Sequence, residues 1–228
     1  DSLKSIEIPA SVRVIEKCAF ADCKNLESIV VSSENATYNS NGNCNAIIYT
    51  KTNVLVEGCK NTKIPVGVTA IAANAFEGRS NLTNIEIPES VKSIESGAFS
   101  GCSGLKKIAL PINVTWIGQG AFIGCSGLTS IKIPSGVSMI GYRTFSDCSR
   151  LMNIKIPASV TSIEDFAFDN SGLKTIYGTP GSYAETYAKE NGYEFIDVSK
   201  KDDSSGKDNK TEVVADVTTS YRTHVQSI

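Results

Sequence analysis

LTNIEIPESVKSIESGAFSGCSG, residues 82–104, runs directly into LKKIALPINVTWIGQGAFIGCSG, residues 105–127, and then into LTSIKIPSGVSMIGYRTFSDCSR, residues 128–150. Each stretch has 23 residues, with apolar or special residues at fixed offsets. Leu82, Leu105, Leu128 and Leu151 open a copy. Ile85, Ile108, Ile131 and Ile154 follow three residues on, then Ile87, Leu110, Ile133 and Ile156. Pro88, Pro111, Pro134 and Pro157 come next, followed by Val91, Val114, Val137 and Val160. Ile94, Ile117, Ile140 and Ile163, then Phe99, Phe122, Phe145 and Phe168, and finally Cys102, Cys125 and Cys148 complete the columns. A chain that repeats at this period is a solenoid, because each copy can bury its apolar side chains only against its neighbours. Burial yields about 2 kcal/mol per side chain. Seven such residues fall short of the roughly 1–2 kcal/mol per residue needed to order the backbone of a copy. One copy alone does not fold.

Within a copy, Leu-x-x-Ile-x-Ile-Pro predicts a short strand with alternate residues buried, ended by a proline that cannot continue the ladder. Val-x-x-Ile predicts a second extended segment on the opposite side. Ala-Phe-x-x-Cys predicts a tight helical turn that plugs the core. Parallel stacking spaces successive turns by ~4.8 Å. The fold class is a β-rich α/β solenoid of 23-residue turns.

The pattern Leu-x-x-Ile-x-Ile-Pro-x-x-Val-x-x-Ile-Gly-x-x-Ala-Phe-x-x-Cys resembles the BspA-like leucine-rich repeat, a class of bacterial surface proteins also found in some protozoa. The resemblance covers residues 1–198 and lacks the asparagine ladder of the ordinary leucine-rich consensus. It implies a leucine-rich repeat array and an extracellular or cell-wall location. A fold of this kind names no ligand.

The first copy, Leu3–Asn25, carries Ile6, Ile8, Pro9, Val12, Ile15, Ala19, Phe20 and Cys23 in register. The chain opens inside a repeat and reads as a piece of something longer, with further repeats or another domain over its upper face. The second copy starts with Leu26, Ile29 and Val31 and then departs. Pro65 follows Ser32 by 33 positions, ten more than the period. The extra segment, CNAIIYT-KTN-VLVEGC, reads as a β-hairpin that stands out from the solenoid or extends it. Cys44 and Cys59 lie symmetrically about Lys51-Thr52, so a two-residue turn would set them opposite each other, in reach of a disulfide. The competing reading places Cys59 at the Leu position of the next copy, as a small core residue. Val68, Ile71, Ala75 and Phe76 restore the register, with Arg79 in the cysteine column.

After Phe168 the repeat shortens and a cap is expected over about 173–198. Ser182-Tyr-Ala-Glu185 is a capping-box pattern, Gly192 a helix stop, and Tyr193–Val198 a closing strand. Similar Gly-Ser-x-Ala-Glu-x-Tyr-Ala segments close arrays in the resembling family. Residues 199–216 are polar and read as a linker; residues 217–228 form a β-prone tail. Tyr221-Arg-Thr-His-Val-Gln226 resembles the opening of the clostridial hydrophobic repeat. That implies the start of a second surface module and a Gram-positive, clostridial-type source.

Composition narrows the function. The net charge of −2 argues against a non-specific nucleic-acid binder, which needs a basic face. No run of about 20 apolar residues is present for a membrane span, and no basic-then-apolar leader precedes the repeats. The one histidine, His224, lies in the tail; no nucleophile–base pair, carboxylate pair or phosphate-binding glycine loop stands out. Seven cysteines leave at least one unpaired. Cys102, Cys125 and Cys148 stack about 5 Å apart with parallel Cα–Cβ vectors, which suits neither a disulfide nor a zinc site. They read as a reduced core ladder. No catalytic residue, cofactor or metal is expected.

Two surfaces are candidates for contact. The first is the outward face of the main strands, with Glu86, Lys107, Lys132, Lys155 and Tyr177; it shifts towards basic along the array and carries no aromatic stripe of the kind that stacks on polysaccharides. The second lies on the opposite side, where Trp116 and Met139 occupy adjacent copies and Tyr142 follows Met139. Adjacent exposed apolar side chains mark contact sites. The expected function is a non-catalytic surface or secreted binding and adhesion module. Its partner would be a host or bacterial surface protein, with weak self-association. The alternatives are a passive spacer and an accessory module of a larger surface enzyme.

Overall fold

The computed structural model describes residues 2–16, 18–21 and 23–199; the linker, the tail and His224 lie outside the described residues. The first strands in chain order are β1 (Ser5–Ile8), β2 (Ser28–Val31), β3 (Tyr38–Asn39), β4 (Ala46–Tyr49) and β5 (Val54–Gly58). Next come β6 (Ala70–Ile71), β7 (Ser93–Ile94), β8 (Trp116–Ile117), β9 (Ser130–Lys132), β10 (Met139–Ile140), β11 (Asn153–Lys155) and β12 (Ser162–Ile163). The chain closes with β13 (Thr175–Gly178), helix α1 (Tyr183–Glu190) and β14 (Glu194–Asp197).

The columns become physical stacks. On the first side β9, β11, β13 and β14 pair in parallel, each one copy further along, with Ile131, Ile154, Ile176 and Phe195 aligned. On the second side β5, β6, β7 and β8 pair in parallel and align Leu55, Ile71, Ile94 and Ile117. The helical turns form a third stack. The Phe76, Phe99, Phe122 and Phe145 N–H groups donate to the carbonyls of Ala98, Ala121, Thr144 and Ala167 in the next copy. Their rings, with that of Phe168, lie in a ladder with centroids 5.1–5.7 Å apart and planes within 7°. Offset stacking of this kind adds to the area each ring buries.

The cysteine column satisfies backbone. Cys102, Cys125 and Cys148 each donate Sγ–H to the carbonyl of Phe76, Phe99 and Phe122 respectively, at 3.1 Å. These carbonyls face away from water, and a small polarisable thiol fills the space while meeting the acceptor.

The inserted hairpin extends the solenoid from within. β4 pairs antiparallel with β5, and β3 with β4, so the three strands continue the second-side sheet. Ala46, Ile47 and Ile48 are all buried. Ile47 packs with Leu26, Ile29 and Tyr38 of the first two copies, whereas Ala46 and Ile48 pack with the main core. The hairpin is thus a wall between two clusters, and its unbroken apolar run AII is the signature of a strand covered on both faces. A Cβ on Gly58 would fall 2.1 Å from the Phe76 ring, so glycine is what lets the end of β5 rest on the first rung of the ladder.

Cys44 and Cys59 are not opposed. A register shift between Ile47 and Ile48 sets Ala46 against Gly58, and the two thiols fall into different clusters, Cys44 in the main core and Cys59 in the N-terminal one. Both are free. Cys59 is fully buried at the Leu position and donates to the Asn45 carbonyl at 3.3 Å.

At the far end, β14 pairs with β13, and the Tyr187 and Tyr193 rings lie 6.1 and 6.5 Å from Phe168, continuing the ladder. Ala184 and Ala188 are buried beneath α1. The expected capping box forms differently. The Ser182 hydroxyl makes no capping bond, and the Glu185 carboxylate accepts from the Gly181 N–H at 2.7 Å, one residue upstream of the box partner.

Candidate functional site

The cysteine column of the main core is chemically quiet. Burial pushes the thiols of Cys102 and Cys148 up to about 12 and that of Cys125 well above its ordinary value, which removes the thiolate a nucleophile needs. No group of three or more His, Cys, Asp or Glu among the described residues is placed to hold a metal. A groove of about 410 Å³ between the last copy and α1 is lined by Ala158, Val160, Thr161, Pro180, Gly181, Ser182, Tyr183 and Thr186. None of these forms an acid–base pair.

Among the described residues, one pair of ionisable side chains in contact is buried, Arg79 with Glu57, which are 0% and 4% exposed. Arg79 stands in the cysteine column, and its guanidinium serves several acceptors in place of one. It donates to Glu57 Oε1 at 2.5 Å, to the Gly58 and Phe20 carbonyls at 3.0 Å, and to those of Cys23 and Glu77 at 3.4 Å. Burial pushes the Glu57 carboxyl up to about 8, against the pull of Arg79. Enclosed on both sides, this pair joins the first copy, the hairpin and the main array, and has no route to a substrate.

The first-side strand face is less unified than its column suggests. Lys132 on β9, Lys155 on β11 and Tyr177 on β13 stand side by side in register. Glu86 and Lys107 are exposed in earlier copies, where residues 82–87 and 105–110 form no paired strand. Lys155 and Tyr177 are half-buried.

The second side gathers more anchors than the sequence reading named. Trp116 on β8 is 43% exposed, Tyr142 39% exposed, and Met139 on β10 half-buried. β8 and β10 belong to different sheets, so the second-side ladder is interrupted between Trp116 and Met139. Glycine spacing shows the same opening: a Cβ on Gly118 would sit 2.3 Å from the Ser96 backbone, whereas one on Gly141 would have Gln119 Cγ as its nearest neighbour, at 3.5 Å.

Beyond Tyr142 lie two residues that periodicity did not single out. Phe166 is 54% exposed, and its ring meets that of Tyr142 edge to face, with centroids 5.8 Å apart and planes at 81°. The Arg143 guanidinium lies over both rings, 5.5 and 5.7 Å from their centroids. The turn is anchored by the Tyr142 N–H, which donates to Glu164 at 2.6 Å. Arg143 and Phe166 both have positive φ, 53° and 58°, at the position that Gly97 and Gly120 occupy in their copies. A side chain held there costs of order 1–3 kcal/mol. The signal in the sequence is the departure itself: Gly-Ala-Phe becomes Arg-Thr-Phe and then Phe-Ala-Phe.

The model of the BspA type leucine rich repeat region matches residues 1–54 and 47–176, with six copies. Among solved structures, a leucine rich cell surface protein from Faecalibacterium prausnitzii is 33% identical over 82% of this chain and 50% of its own, with a TM-score of 0.71. A leucine-rich repeat protein from Eubacterium ventriosum is 27% identical over 77% of this chain and 51% of its own, with a TM-score of 0.62. The pneumococcal vaccine antigen PcpA, 18% identical over 86% of this chain and 56% of its own, shares the fold at a TM-score of 0.57. The chain spans about half the length of these structures. No curated protein matches it. The chain belongs to the BspA-type leucine-rich repeat family.

Proposed function

We propose that this member of the BspA-type family is a non-catalytic recognition and adhesion module, displayed outside the cell or at the cell wall, that binds a protein through the second side of its solenoid. The observation that carries the reading is the exposure of Trp116 and Tyr142, with half-buried Met139, on the turns that flank the interruption of the second-side ladder between β8 and β10. Protein interfaces draw most of their energy from a few aromatic or arginine anchors. Anchors mounted on stacked repeats lose little freedom on binding, because the scaffold is already ordered. The surface location is supported by the family and by the cell surface protein that the chain resembles at 33% identity. No described helix is long and apolar enough to cross a membrane.

The test is a binding screen of the purified chain against host extracellular and bacterial surface proteins, with sedimentation to detect weak self-association, repeated with Trp116→Ser. Loss of binding or association with the fold intact supports the second side. Binding that survives the substitution returns the contact to Glu86, Lys107, Lys132, Lys155 and Tyr177, and an absence of any binding favours a spacer.

A further inference from the structure

We propose that Arg143, held over the Tyr142 and Phe166 rings, is a carboxylate-binding site, and that its occupant is an acidic side chain in an exposed peptide segment of a protein partner. This rests on the second side being the recognition face and gives that face its chemistry.

The guanidinium is prepared for such a ligand. Contact with two ring faces holds it in place while its N–H groups have no protein acceptor among the described residues. A planar fork of donors matches a carboxylate bidentately, and prior immobilisation reduces the ordering that binding demands. Two of the neighbouring carboxylates are engaged elsewhere. Glu164 accepts from the Tyr142 N–H, and Asp147 accepts from Ser146 Oγ and Asn170 Nδ2. Asp165 is exposed to solvent. None of the three forms an ion pair with Arg143. A singly charged carboxylate meets less repulsion from the surrounding acids than a dianionic phosphate or a multiply sulfated glycan.

The backbone sets these side chains in place. Cys18, Asn74, Gly97, Gly120, Arg143 and Phe166 share one left-handed position of the repeat, and among them Arg143 and Phe166 place a cation and a ring there in successive copies. A peptide is favoured over an acidic sugar by the ring geometry. Sugars stack on open, flat ring faces, but here the rings meet at 81° and the guanidinium lies over both. Met139, three residues before Tyr142, and Trp116 on the preceding turn offer apolar surface for a neighbouring aliphatic or aromatic side chain of the same segment.

The experiment titrates the full chain with the peptide Ac-Gln-Leu-Glu-Phe-Gln-NH₂, with its neutral counterpart Ac-Gln-Leu-Gln-Phe-Gln-NH₂, and with trigalacturonate. Trp116 fluorescence and the Arg143 Nε–H resonance report binding. The acidic peptide is expected to bind about tenfold more tightly than the neutral one, the scale of one charge-assisted hydrogen-bonded pair. Arg143→Lys, which keeps the charge and loses the fork, should abolish most of that preference, and Phe166→Gly should weaken it several-fold. Arg143→Gly should abolish it with a thermal midpoint equal to or above that of the parent, because glycine is the residue that sister copies carry there. Equal affinity for the two peptides, a preference that survives Arg143→Gly, or tighter binding of trigalacturonate would overturn the proposal. So would a lowered midpoint in Arg143→Gly, which would make Arg143 a structural residue. A protein partner that needs Trp116 but is indifferent to Arg143 removes the carboxylate site and leaves the recognition face standing.

Discussion

Replacing Arg79 by methionine should lower stability by about 3–5 kcal/mol and uncouple the first two copies from the rest. Methionine keeps the unbranched flexible stem and removes the guanidinium, so the loss reports the donors and the space they fill. Arg79 is fully buried and its bonds span three parts of the chain: Phe20 and Cys23 in the first copy, Glu57 and Gly58 in the hairpin, and its own turn through Glu77. Hydrogen bonds to a charged group contribute about 1.5–3 kcal/mol each, and a buried acceptor left alone costs about 1–3 kcal/mol. Relief of the guanidinium's own desolvation offsets part of this sum. A Glu57 that keeps its proton up to about pH 8 leaves no bare charge behind. The net of about 3–5 kcal/mol therefore comes from the lost hydrogen bonds and the unpaired carbonyls. Because stability in a solenoid is the sum of unit and interface contributions, the damage should be local. Denaturant melts should show a lower midpoint, and hydrogen exchange should speed up in residues 26–58 while residues 82–176 keep their protection. A loss below about 1 kcal/mol, or protection lost evenly along the array, would refute the assignment of Arg79 as the joint between the two clusters.

Phe122→Ala should cost about 3–5 kcal/mol in the same melts, because its ring is fully buried and stacked on both faces at 5.5 Å; Lys132→Ala should stay within about 0.5 kcal/mol. The Glu57 carboxyl is raised from 4.5 to about 8 by burial, so the folded chain holds this proton more tightly than the unfolded one. The stabilisation this carries is complete below about 4.5 and is lost as pH rises through about 8. Denaturation midpoints should therefore fall from pH 5 to 8 in the parent more than in Glu57→Gln, and identical profiles would reject the raised carboxyl. In native protein at pH 8, a thiol reagent should modify exposed Cys18 well before Cys102, Cys125 and Cys148, whose thiols burial holds far above that pH; mass spectrometry of the labelled peptides gives the order, and early labelling of Cys125 would contradict the closed ladder.

The solenoid, the residues of its core and the position of its closing helix are legible in the sequence. They are so because stacking brings each residue against its own counterpart one period away, and a contact between equivalent positions is written as a repeated letter. Phe76 to Phe168 and Cys102 to Cys148 were legible for that reason. The tertiary structure alone decided what happens where the period breaks. The hairpin became a wall between two clusters because Ala46–Ile48 found apolar surface on both faces, and the bulge after Ile47 sent Cys44 and Cys59 to opposite sides. Arg79 reads in the sequence as a lapse in the cysteine column; its partners Phe20 and Glu57 lie 59 and 22 residues away, at separations that no period encodes. Trp116 and Tyr142 could be picked out by residue type. The clamp on Arg143 could not: the left-handed turn recurs from copy to copy, but the meeting of Arg143, Phe166 and Tyr142 side chains is particular to two successive copies. Periodicity specifies what every copy does alike, and the contacts that distinguish one copy from the next are decided by the packing of the folded array.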